Sequence, residues 1–442
     1  MRITLVSLLL LTGTVLFAQP KQNSPYSRFG IGDPVNQFFA NQAAWGGQTA
    51  AFHDPFHLNL VNPASYAHLR TTTLETGLFA KYSHLSTGAG TKDNWSGNLA
   101  YAALGFTLKS PINEILDKAK SPWQLGMGLA LTPYSLVGYN VQTIDTLPDL
   151  GVVINTFEGT GGTYKLTWSN AAKYKNTAYG FNIGWIFGKS VYENTTTFAD
   201  SLPTFFNNRR EDVRINGLLW NVGVQHDFIL ETAENDKTVP TRYVTVGFTG
   251  ESKHKVNSTF DQLFLRSRGL LSNGQYDDAD TLESALNVRQ KITLPATFSI
   301  GAQYVKANKM RIGAQFGYDA WASYRNAARP GTFRNAVSVS GGFEIIPDYA
   351  SYNNYGKRIR YRVGGYFRQD PRVIDEKGLD DLGITFGFGL PITLPRQQTS
   401  FVNTAFEFGK LGGGSVLEET YFRITIGFTM NDNTWFYKRR FE

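Results

Sequence analysis

Apolar side chains recur at every second position along most of this chain, and that alternation limits it to sheet structure. Leu382, Ile384, Phe386, Phe388 and Leu390 share one face of an extended segment, with Gly383, Thr385, Gly387 and Gly389 on the other. Phe422, Ile424, Ile426, Phe428 and Met430 repeat the pattern opposite Arg423, Thr425, Gly427 and Thr429, and Ile312, Ala314, Phe316 and Tyr318 repeat it opposite Arg311, Gly313, Gln315 and Gly317. A soluble sandwich and a membrane barrel both alternate in this way. Composition separates them. Glycine supplies 44 residues and charged residues only 18%, so the second face lacks the Lys and Glu that solubilise a water-facing sheet and suits the inside of a barrel. No run of about 18 apolar residues occurs, which excludes a helical span, and a backbone that crosses a bilayer without helices must close its sheet. The expected fold is therefore all-β, an antiparallel transmembrane barrel.

About fourteen strands of roughly ten residues can be placed, an even number as closure requires. They begin near Thr71, Trp95, Gln124, Thr163, Thr177, Asn216, Arg242, Gln290, Met310, Ala336, Ile359, Asp381, Ser400 and Tyr421. Connections at Lys173 to Asn176 and Lys306 to Lys309 read as tight periplasmic turns, and Asn140 to Gly162, Asn194 to Arg214 and Phe260 to Arg289 as long outer loops. Trp123, Trp168, Trp321, Tyr361 and Tyr421 stand near strand ends, where an aromatic girdle would sit. Met1 and Arg2, the apolar stretch Ile3 to Phe17 and Ala18 have the form of a signal peptide over residues 1–18. Residues 19–70 show no sustained alternation and are expected to plug the lumen, followed by the barrel over 71–430 and a periplasmic tail over 431–442. The location implied is the outer membrane of a Gram-negative bacterium.

The inner face carries Asp227, Glu251, Arg311, Asp319, Arg360, Arg362, Glu407 and Arg423. Such charges either steer a polar headgroup or pair across the lumen, and pairing is favoured because an unpaired buried charge is costly. Arg360 and Arg362 would serve an acidic ligand best. Pro133, in Leu131-Thr-Pro-Tyr-Ser135 of the third strand, removes a ladder donor, so the strand must bulge, kink or become an edge there, or else end its membrane-crossing part.

Other function classes find little support. The net charge of +7 comes with neither a basic face nor a nucleic-acid-binding module, so no nucleic-acid partner is expected. In His53-Asp-Pro-Phe-His57, Pro55 prevents the helix that would aim both histidines at one ion, and no metal is expected. Gly184-Trp-Ile-Phe-Gly-Lys-Ser190 is one residue short of a phosphate loop and lies in a strand. No nucleophile and base can be placed together, so neither an enzyme nor a cofactor is expected.

Ser24-Pro-Tyr-Ser-Arg-Phe-Gly-Ile-Gly-Asp33 and Asn62-Pro-Ala-Ser-Tyr66 resemble the start of Bacteroidota outer-membrane proteins of the FadL-like hydrocarbon and fatty-acid transporter superfamily. Arg362-Val-Gly-Gly-Tyr-Phe-Arg-Gln-Asp370, Gly383-Ile-Thr-Phe-Gly-Phe-Gly-Leu-Pro391, Phe406-Glu-Phe-Gly-Lys410, Tyr421-Phe-Arg-Ile-Thr425 and Trp435-Phe-Tyr-Lys-Arg439 are similar to its last strands and tail. The resemblance implies fourteen strands, a hatch carrying the motif Asn62, Pro63 and Ala64, and a third strand kinked at Pro133 to open a lateral gate. It implies uptake of a hydrophobic, fatty-acid-like molecule by plug and gate, with lipid and ligand as partners. The alternative is a non-conducting accessory subunit of an outer-membrane secretion or assembly complex, with protein partners.

Overall fold

The computed structural model describes residues 23–88, 90–109, 121–148, 151–198, 206–234, 239–270, 276–277, 279–374, 376–394, 398–412 and 417–432. The expected signal peptide lies outside them, as does the expected tail beyond Asp432.

Among the described residues the sheet is a closed antiparallel barrel of 14 strands. They are β1 (Thr72–Thr87), β2 (Gly90–Thr107), β3 (Trp123–Leu147), β4 (Gly151–Tyr174), β5 (Thr177–Phe198), β6 (Phe206–Thr232), β7 (Pro240–Glu251, resuming as His254–Ser267), β8 (Asp280–Leu294, resuming as Thr297–Lys306), β9 (Met310–Asp319), β10 (Ala336–Ile345), β11 (Arg360–Ile374), β12 (Lys377–Leu394), β13 (Gln398–Leu411) and β14 (Leu417–Asp432). The break in β8 contains Pro295, which cannot donate to the ladder. The seam joins β14 to β1 in register from Leu417↔Thr87 to Asp432↔Thr72.

The alternation read from the sequence is the in-out alternation of this wall. Leu382 and Ile384 are 62% and 65% exposed on the outside, and Phe298, Ile300, Phe316, Phe386, Phe428 and Met430 continue an apolar belt. A contiguous greasy exterior of this kind is stable only against lipid.

Two expectations need correction. The supposed outer loops are mostly strand: β3 runs on to Leu147 and β4 starts at Gly151, while β5 reaches Phe198 and β7 reaches Ser267. Beyond the belt an outer face needs no greasy residue, so the alternation fades although the ladder continues. Of the proposed girdle, Trp123 and Trp168 are exposed, but Tyr421 is buried and Trp321 packs inward on Tyr324 and Phe333. Tyr421 shares its parity with Thr425, the inward side. The expected turns are present, with Lys175 and Asn308 at positive φ.

The wall is uneven. We call the end where β1 begins the base and the other the rim. β3 has 25 residues and β6 has 27, but β9 and β10 have 10 each. Residues 24–70 lie inside the cylinder, where their only regular pieces are short: helical turns at Pro25–Arg28, Ala40–Ala43 and Pro63–His68, and the strand pair Asp33–Pro34.

Candidate functional site

The inward glycines are where the inner segment meets the wall. A Cβ on Gly223 would stand 2.0 Å from Asn62 Oδ1, and one on Gly126 would stand 1.9 Å from the Tyr66 carbonyl oxygen. The small face read as the inside of a barrel is a seat for a second layer of backbone. Asn62 caps the turn Pro63–His68 by accepting from the Ala64 N–H at 3.1 Å, with Pro63 at the first helical position. Its Nδ2 donates to the Ala50 carbonyl at 2.6 Å. Asn62, Pro63 and Ala64 are all buried, and Gly180 approaches Ala64 N to 2.4 Å by the same Cβ measure.

Two polar knots tie this layer to the strands. In the first, Arg360 Nη1 donates to Asp54 Oδ2 at 2.8 Å and Arg311 Nη2 approaches the same oxygen at 3.4 Å. Asn403 Nδ2 donates to His57 Nε2 at 3.1 Å, so His57 donates from Nδ1 to Asp54 Oδ1 at 3.1 Å. Arg362 completes the knot, donating to Glu344 Oε2 at 2.6 Å and Asn403 Oδ1 at 2.8 Å. Burial alone would raise the Asp54 carboxyl, but Arg360, His57 and Arg311 hold it well below the usual carboxylate range. Burial pushes His57 down. The second knot is Asp227, which accepts from Lys173 Nζ at 2.8 Å and meets His53 Nε2 at 2.9 Å. The His68 ring stacks on His53 at 3.7 Å, and its pKa is depressed by burial and then by His53 and Lys173. Ligand atoms of His53, His68 and Asp227 lie within 4.8 Å of one another, yet the Lys173 ammonium, also 3.3 Å from His68 Nδ1, already stands there as a cation.

Among the inward charges, Arg360, Arg362, Glu407 and Arg423 do not converge on one site. Arg360 and Arg362 belong to the first knot. Glu407 accepts from the Tyr366 hydroxyl, beside Tyr421 and Asp381, and Arg423, its register partner, lies 4.3 Å over the Phe79 ring. Sequence reasoning missed Asp54 because it weighed the two neighbouring histidines only as metal ligands. No local signal marked it, since its partners Arg360 and Arg311 lie far along the chain.

Toward the rim the filling becomes apolar. Ile31, Val137, Tyr139, Ile186, Tyr192, Val213, Ile292 and Tyr324 form one buried cluster with Phe333 packed against it.

The strand ladder is interrupted between β2 and β3. β2 pairs with β3 only from Ala102↔Leu131 to Thr107↔Gly126, and above that level the two strands part. Pro133 stands just above the split, where the β3–β4 register shifts between Pro133 and Ser135 while β3 continues. The inner segment covers the β3 edge. Asp33 and Pro34 pair with Leu136 and Ser135, the Val35 N–H donates to the Tyr134 carbonyl at 3.0 Å, Gln37 Nε2 donates to the Pro133 carbonyl at 2.8 Å, and the Ser24 N–H donates to the Gly138 carbonyl at 2.9 Å. The segment's far side is anchored by Arg372 on Asp33 at 2.9 Å and by the Ser24 hydroxyl on Glu419 at 2.8 Å.

The family model BamG matches residues 1–442. The chain belongs to the BamG family. Among curated proteins no sequence matches it. Its fold is similar to that of a Pseudomonas aeruginosa FadL homologue, at TM-score 0.54 and 12% identity over 91% of this chain and 99% of that one. It is also similar to the Pseudomonas putida toluene transporter TodX, at TM-score 0.52, and to the Ralstonia pickettii toluene transporter TbuX, at 0.51, each with 12% identity over 90% of this chain and 99% of the other. The BamG-family chain thus has the FadL-type outer-membrane barrel fold.

Proposed function

We propose that this BamG-family barrel is a non-conducting accessory subunit of an outer-membrane assembly or secretion complex. The observation that carries the reading is the filled lumen: two polar knots and backbone seated on glycines fill its base, and an apolar cluster fills it toward the rim. A conduit would have to break buried ion pairs at each passage, at about 3–5 kcal/mol for each charge left alone. The test is mild extraction of the tagged full-length chain from its own membranes, followed by mass spectrometry of polypeptides and lipids together. A stable complex at fixed stoichiometry with another outer-membrane protein is expected. A solitary barrel carrying one apolar ligand per chain would overturn the reading.

One observation favours a second reading, uptake of a hydrophobic molecule. The parting of β2 from β3 beside Pro133 is a place where a greasy solute could leave sideways into lipid if residues 33–37 withdrew. Uptake of a labelled hydrocarbon in cells, compared with cells carrying Gln37→Ala, tests it. Equal uptake with and without the barrel removes this reading.

A further inference from the structure

β9 ends at Asp319 and β10 begins at Ala336, while β8 climbs to Asp280. Residues 320–335 fold inward between them, Tyr324 and Phe333 packing on the apolar cluster. The rim therefore has a notch two strands wide, and one side of it is the edge of β8. From Asp280 to Leu294 that strand pairs with β7 on one side. On the other, among the described residues, its backbone makes one isolated antiparallel bridge, Thr293↔Arg325, with the Thr293 N–H donating at 2.8 Å and the Arg325 N–H at 3.2 Å. Because backbone groups alternate in direction along a strand, Lys291 and Arg289 also turn their N–H and C=O toward the notch. A long unpaired edge is a template for another strand, and proteins usually blunt it. Here the edge stays open, with Leu282 and Leu286 40% and 67% exposed.

A second feature lies at the foot of this edge. An open groove of about 600 Å³ is lined by Lys253, Lys255, Thr293, Ser323, Arg325 and Asn335, among others. Lys255 is the register partner of Thr293, and Lys291 and Arg289 follow on the same outer face. Among the described residues, Lys253, Lys255, Arg289, Lys291 and Arg325 are exposed and none has a carboxylate partner.

We infer that this notch receives an extended, acidic segment of a partner polypeptide, which adds to β8 as an antiparallel strand and turns its carboxylates onto the groove. The Arg325 bridge already sets the direction and register in which such a strand would continue. A lipid headgroup could answer the charges but not the row of backbone donors and acceptors, and a strand answers both. The inference rests on the accessory-subunit reading and names where the partner binds.

The test uses the full chain in its own membranes, with a photo-cross-linking residue at Arg289 and, as a control on the lipid face, at Ile384. The expected product at Arg289 is a polypeptide adduct that maps to an acid-rich stretch and is missing at Ile384. Lys291→Pro removes one donor toward the notch and spares the Gln290 and Ile292 bonds to β7, and Lys253→Glu with Lys255→Glu reverses exposed charge without touching the ladder. Each should lower adduct yield about tenfold or more. Partners that co-purify without an Arg289 adduct, or an adduct indifferent to both variants, overturn the inference and leave the accessory reading standing. A lipid adduct overturns it in favour of headgroup binding, and the absence of any partner overturns both.

Discussion

Around Asp54 the lumen is filled by backbone laid against glycine and by buried ions, whereas around Tyr139 it is filled by interlocking side chains. The first arrangement depends on charge balance and tolerates no added volume. The second resembles an ordinary protein core, which can settle around small losses. The BamG-family barrel thus has a brittle base and a compliant rim.

The largest expected break is Asp54→Ala, which removes the carboxylate that Arg360 and Arg311 contact, leaving near them only Glu344, already bonded to Arg362, and should cost about 3–5 kcal/mol. It would be read as a lower temperature for loss of the fast-migrating folded band in semi-native electrophoresis. Gly223→Val forces a side chain against Asn62 and should cost about 1–3 kcal/mol by overpacking, with the inner segment becoming protease-sensitive while the wall stays intact. At the rim, Ile292→Val deletes one methyl from a fully buried side chain and should cost only about 1 kcal/mol on the same thermal scale.

Acidity should separate the two regions further. His57 and His68 are held below the ordinary histidine value of 6.5, so below that pH the unfolded chain takes up protons that the folded one refuses, and stability falls. Asp54, held below 3.8, acts the other way round in origin but with the same sign: its contribution is full above that value and is lost as pH falls beneath it. Denaturation followed from pH 7.5 to 3 should therefore show two declines, and His57→Gln with His68→Gln should flatten the first. The smallest effect expected is Lys410→Ala at the exposed pair with Glu418, within about 0.5 kcal/mol.

The wall was legible because lipid demands apolar residues at strict alternation, as in Leu382 to Leu390, and the strand count followed from it. The rim extensions were not, since residues such as Thr195, Thr196 and Thr197 face water and carry no such demand. The inward glycines were visible, but their purpose was not. An empty lumen and a seat for backbone call for the same small residue, and only the nearness of Tyr66 to Gly126 and of Asn62 to Gly223 tells them apart. Pro133 was legible as a disturbance of β3. The covering of that edge by Asp33 and Pro34 was not, because nothing local couples residues about a hundred positions apart.

The seam between β14 and β1 has a temporal meaning. The inner segment precedes β1 in the chain, so it is synthesised before any wall exists to receive it, yet it ends up tethered to β3, β11 and β14 together. Once Leu417 to Asp432 zip onto Thr72 to Thr87, the first and last strands are joined and the sheet is closed. The curled sheet must gather the segment while it is still open, and closure is then an act of entrapment: whatever helps these two strands meet also decides whether the barrel is sealed with its contents or without them.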